Sequence, residues 1–65
     1  MYDRNGHTLH DGEVVKIIGR PDLDPSDLWA VFTCFQYGIF TDFILKNCAT
    51  HEIKVVAREN VQRAY

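Results

Sequence analysis

Residues 28–46 read LWAVFTCFQYGIFTDFILK, and this stretch, Leu28 to Lys46, decides the fold. Leu28–Gln36 is aromatic and β-branched with no helical period, and Ile39–Lys46 repeats that character. Tyr37-Gly38 between them is turn chemistry, so the stretch predicts a β-hairpin. With those two residues at the centre of a two-residue turn, Gln36 pairs with Ile39, Phe35 with Phe40, Cys34 with Thr41, Thr33 with Asp42, Phe32 with Phe43 and Val31 with Ile44. Directly opposed residues share a face. One face then carries Ala30, Phe32, Cys34, Ile39, Phe43 and Leu45, is almost wholly apolar, and is the expected core side. The other carries Trp29, Val31, Thr33, Phe35, Phe40, Asp42, Ile44 and Lys46, where large aromatics sit beside charges.

The flanking sequence has the same grain. Glu13–Ile18, EVVKII, is a short β-branched strand, and Gly19–Asp27, GRPDLDPSD, is a loop stiffened by two prolines. Asn47–Thr50 is a turn, His51–Ala57 a further strand, and Asn60–Ala64 a single helical turn leading into a short closing strand. Upstream, Asn5-Gly6 and Asp11-Gly12 are tight-turn dipeptides. No segment has a helical pattern and no repeat or linker interrupts the chain. Four to five short strands and tight turns in 65 residues predict one all-β domain over residues 1–65, a small barrel or a two-sheet sandwich.

A chain this short buries only about 60% of its unfolded surface, so its stability margin is thin. At 46% hydrophobic residues it still has the core material that disordered chains lack. Seven Lys and Arg against nine Asp and Glu give a net charge of −2. That balance argues against a dedicated nucleic-acid binder, whose affinity comes from phosphate contacts. Lys54, Arg58 and Arg63 leave room for a local basic patch. The start of the chain, Met1–Gly6, is polar, and no run approaches the roughly 20 apolar residues of a membrane span. The expectation is a cytoplasmic protein with no membrane contact, in which Cys34 and Cys48 are reduced and lie in the core.

The stretch Asp3–Ile17, with its turn glycine Gly6, then Leu9 and Gly12-Glu13-Val14-Val15-Lys16-Ile17, resembles the opening of small bacterial and phage SH3-like or KOW-like barrel proteins. Their pattern is an acidic residue, a turn glycine, a leucine or isoleucine, then Gly-Asp/Glu-x-Val-x-Val. The tail, Ile53–Ala57 followed by Asn60-Val61 and a last short strand, is similar as well. The resemblance implies an SH3-like five-stranded barrel in which Leu9 plugs one end. It also implies a small binding module, an adaptor or modulator of another protein. KOW modules have a glycine-rich turn after the first strand where this chain has the acidic loop Pro21–Asp27, so nucleic-acid association stands as the alternative reading.

Among chemistry-bearing groups, Trp29, Phe35, Tyr37 and Phe40 with Asp42 form the leading candidate for a partner-binding surface, because exposed aromatics flanked by charges are what hot spots are made of. The partner would be another protein or a second copy of the chain. A strongly bent strand that buries part of both faces accounts for the same pattern. Leu28–Thr41 carries no charge, and an exposed run of this kind is an aggregation hazard that favours its being covered. Asp22, Asp24 and Asp27 lack the position-six glycine and closing glutamate of a calcium loop, and read as a solvated acidic loop suited to a basic partner surface. His7-x-x-His10 and Cys48-x-x-His51 are poor zinc spacings, so no metal or cofactor is expected. No nucleophile–base set or phosphate-cradling loop is legible, so the expectation is a non-catalytic protein.

Overall fold

In the computed structural model, which describes all 65 residues, the hairpin is built from β2 (Trp29–Tyr37) and β3 (Phe40–Asn47). Its turn is Gly38-Ile39, one residue later than expected, with Tyr37 opposite Phe40 and Phe35 opposite Asp42. The reason lies in φ. Both favoured two-residue hairpin turns need a positive φ at the first central residue, which glycine adopts freely and tyrosine does not. Gly38 takes that position with φ 61°. The slip moves every partner by two places, so near the turn it leaves the faces as expected. Ile39, expected in the core, lies in the turn and is 92% exposed.

A second departure has a larger effect. The register shifts between Val31 and Thr33, so that Val31 opposes Leu45, Thr33 opposes Ile44, and Phe32 is the extra residue of a β-bulge. A one-residue insertion inverts the facing of everything before it. Trp29 and Val31, expected on the outer face, are buried, and Trp29 is only 1% exposed. Phe32, expected in the core, is 66% exposed, and Ala30 is half-buried.

Around this hairpin the remaining strands complete one antiparallel sheet. β1 (Val14–Ile17) pairs with β2, placing Val15 opposite Trp29. β4 (Ile53–Ala57) pairs with β3, with Phe43 opposite Val56 and Ile44 opposite Val55. A 3-10 turn, Arg58–Asn60, leads into β5 (Val61–Arg63), which returns to pair with β1. The order is β4-β3-β2-β1-β5, leaving β4 and β5 as the two edges.

The core lies on one side of the sheet: Leu9, Val15, Ile17, Trp29, Val31, Phe43, Leu45, Val56 and Val61. Side chains of this kind contribute roughly 1.5–3 kcal/mol each when fully buried. Leu23 from the acidic loop and half-buried Cys34 pack against the cluster. Cys48 does not; it is exposed in the turn after β3, and neither thiol is in a disulfide.

One buried charge organises the chain ends. Asp3 is 1% exposed. Its Oδ1 accepts the backbone N–H groups of Asn5 and His7 at 2.9 Å each, and its Oδ2 accepts that of Arg63 at 2.8 Å. Arg4 N–H donates to the Val61 carbonyl, so the N-terminal turn runs alongside β5. At the other end of the β1–β5 pair Asn60 Nδ2 donates to the Ile18 carbonyl and the Asn60 carbonyl accepts from Ile18 N–H, both at 2.8 Å, which fixes the 3-10 turn to the end of β1.

Candidate partner-binding face

The side of the sheet opposite the core is open over β2, β3 and β4. Strand alternation puts Thr33, Phe35 and Tyr37 on it from β2, Phe40, Asp42, Ile44 and Lys46 from β3, and Ile53, Val55 and Ala57 from β4. Cross-strand rows follow from the register: Tyr37–Phe40, then Phe35–Asp42–Ala57, then Thr33–Ile44–Val55, then Ala30–Lys46–Ile53. Phe35, Tyr37, Phe40, Ile53 and Val55 each keep between 43% and 61% of their surface in solvent. Single exposed apolar residues are ordinary; five in contiguous rows on one face are not.

The aromatic end is ordered. The Phe35 and Tyr37 rings stack with centroids 6.2 Å apart, and Tyr37 and Phe40 lie 5.8 Å apart with planes tilted by 34°. The Tyr37 hydroxyl donates to Asp42 Oδ2 at 2.6 Å. That hydrogen bond, helped by slight desolvation and the Asp42 charge, raises the phenol pKa above its ordinary value. It also holds the ring down, so a partner meets a fixed aromatic surface with little side-chain entropy left to lose.

No family model, curated protein or solved structure matches this chain.

Of the residues expected to meet a partner, Phe35, Tyr37, Phe40 and Asp42 come together here. Trp29 does not, because the bulge at Phe32 turns it into the core. Ile53 and Val55 extend the face and were not legible as part of it. In HEIKVVA, Ile53 and Val55 alternate with Lys54 and Val56, so hydropathy alone does not tell the outward pair from the inward one.

The acidic loop lies elsewhere. Leu23 packs on the core cluster. The Asp22 carboxylate feels Lys54, which opposes buried Leu45 and so lies on the core side of β4. Two of the three carboxylates are already engaged. Arg20 forks onto Asp22 at 3.0 and 2.9 Å, and that hydrogen bond lowers the Asp22 pKa. The Ser26 backbone and hydroxyl both donate to Asp24 Oδ1, which lowers its pKa in turn. Asp27 is exposed and lines a shallow cleft with Leu28, Asn47 and Cys48.

The basic residues sit on separate elements. Lys54 on β4 faces Glu52 at 3.6 Å, Arg58 is in the 3-10 turn, and Arg63 on β5 donates to the Tyr65 carbonyl. Arg58 also lines a cleft of about 320 Å³ beyond the core, with Met1, Tyr2, Cys34, Gln36 and Thr41, which brings no carboxylate or imidazole into reach. No group of three His, Cys, Asp or Glu side chains converges as a metal site would require.

Proposed function

We propose that this chain is a small non-catalytic protein-binding module with an SH3-like barrel arrangement, acting in the cytoplasm as an adaptor or modulator, which contacts its partner through the outer face of β2, β3 and β4. The observation that carries this reading is the contiguous set Phe35, Tyr37, Phe40, Ile53 and Val55, half in solvent and ordered at one end by the Tyr37–Asp42 hydrogen bond. Rigid aromatics ringed by a few polar groups are the composition of an interface core. The β1–β4 meander, with β5 returning through the 3-10 turn to pair with β1, supports the barrel arrangement. Asp42 supplies charge selectivity at the contact, and the loop carboxylates Asp22, Asp24 and Asp27 offer a secondary acidic surface, with Asp27 beside Leu28, Asn47 and Cys48.

The test is affinity capture on immobilised wild type and a Phe40→Asp variant, from nuclease-treated extract, at low and high salt. The expected result is a defined protein, a second copy of this chain included, held by wild type at both salts and released by the variant, with both baits folded by circular dichroism. Equal retention on the two baits overturns the assignment of the face. Captured nucleic acid whose retention falls steeply with salt overturns the protein-binding reading, because phosphate contacts are lost in that manner.

A further inference from the structure

We propose that the occupant of this face is a second copy of the same chain, packed sheet to sheet with β3 antiparallel to its counterpart. The inference rests on the reading of the outer face as a binding surface and names its partner.

The argument begins with the order of side chains along β3. Asp42, Ile44 and Lys46 lie on one face of one strand. The acid and the base are each two residues from Ile44, about 7 Å in opposite directions. A two-fold interface is self-complementary: if one residue meets another across it, the reverse contact also forms. Consider a two-fold axis lying between the sheets, perpendicular to β3 and passing over Ile44. It sets Ile44 against Ile44 and brings Asp42 of each copy to Lys46 of the other. An axis parallel to β3 would instead set Asp42 on Asp42 and Lys46 on Lys46, a juxtaposition of like charges that disfavours assembly. The charges therefore select one of the two ways of stacking this sheet on itself.

The neighbouring strands fit the same operation. Phe35 and Ala57 share the Asp42 row, while Ala30 and Ile53 share the Lys46 row. The antiparallel arrangement lays Phe35 over Ala30 on the β2 side and Ala57 over Ile53 on the β4 side. Large meets small at both edges, which is how two sheet faces about 10 Å apart interdigitate. Half-exposed side chains of this size leave on the order of 500 Å² of apolar surface, given about 150–250 Å² per aromatic. A standard interface buries ~800 Å² per partner, so the apolar patch alone covers over half of that area.

Size-exclusion chromatography with light scattering tests this on the intact chain. Wild type is expected at twice the 7.5 kDa monomer mass, dissociating on dilution. Asp42→Lys leaves only lysines at the contact and Lys46→Asp leaves only aspartates. Each variant alone is expected to be monomeric, with dimer affinity weakened at least about tenfold. Mixed in equal amounts, they are expected to recover the dimer. The lysine introduced at position 42 of one variant then meets the aspartate introduced at position 46 of the other, while the first variant's own Lys46 meets the second's own Asp42. Thermal melts establish that each variant is folded, and the mixture supplies a gain of assembly that misfolding cannot mimic. A monomeric wild type overturns the proposal, as does a dimer that the single reversals leave intact or that mixing fails to restore. The two readings fail separately. If wild type is monomeric while Phe40→Asp still releases a captured protein, the face binds a foreign partner and only the second copy is refuted. If the capture also fails, the assignment of the face falls with it.

Discussion

Replacing Asp3 with asparagine should cost this protein a large share of its stability. Two backbone donors, Asn5 and His7, converge on Oδ1 at 2.9 Å, and an amide oxygen can keep both. The third, Arg63 N–H, meets Oδ2 at 2.8 Å, where asparagine presents its own NH2, donor against donor. Hydrogen bonds to a charged group contribute about 1.5–3 kcal/mol, and a buried unsatisfied donor costs a similar amount. Asp3→Asn should therefore lose about 2–3 kcal/mol, or roughly 10–20 °C in Tm for a domain of this size. Asp3→Ala, which removes all three acceptors, should lose more. The effect carries a pH signature. Burial opposes the Asp3 charge, but the backbone donors of Arg63, His7 and Asn5, with the nearby His7 ring, outweigh it and hold the carboxyl below its usual range. A depressed folded pKa means the stabilisation is complete above the unfolded pKa of about 4 and is lost as pH falls through the folded one. Urea melts of wild type and Asp3→Asn at neutral pH and near pH 3 measure the gap directly. It should be full at neutral pH and shrink in acid. A gap below about 0.5 kcal/mol at neutral pH, the range of ordinary surface substitutions, would refute the reasoning, as would one that does not change with pH.

Gly19 has φ +74°, and a Cβ there would lie 2.8 Å from Asn60 Nδ2, so Gly19→Ala should break the Asn60–Ile18 clasp and lower stability by about 1–3 kcal/mol in denaturant melts. Trp29→Ala should cost about 3–5 kcal/mol by the same assay, whereas Phe40→Ala should change the monomer's stability by less than about 1 kcal/mol; similar losses at both positions would contradict the two-sided reading of the hairpin. The Tyr37 phenol should titrate above its ordinary value by ultraviolet difference spectroscopy and move back down in Asp42→Asn; an unchanged titration would remove the Tyr37–Asp42 bond from the account.

Strand positions were legible because β-branched and aromatic runs separated by Gly, Asn and Asp leave few alternatives. Each of the expected strands exists, within a residue or two of its ends. Facing was legible only in part. Near the turn the outward placement of Phe35, Phe40 and Asp42 holds, because shifting the turn from Tyr37-Gly38 to Gly38-Ile39 preserves parity. The turn itself was open to a φ argument, since glycine belongs at the position that must be left-handed. The bulge at Phe32 was not legible. Val31-Phe32-Thr33 contains no glycine, proline or charge to mark an extra residue, and the bulge is set by β1 and the core beneath, which need Trp29 and Val31 on their side. The buried role of Asp3 was not legible for a related reason. As sequence it is a polar residue before a turn, and its buried role depends on Arg63, sixty residues away.

That separation has a kinetic consequence. The β2-β3-β4 meander joins neighbours through short turns, so its contacts reward the chain soon after they close. The clasp between Asp3 and β5 closes nearly the whole sequence and has its partners in place only once β5 has docked on β1. Interactions completed late in folding act on the unfolding limb of a chevron and leave the folding limb nearly unchanged. Substitutions in the N-terminal turn should therefore mainly speed unfolding, while substitutions in the central hairpin should mainly slow folding.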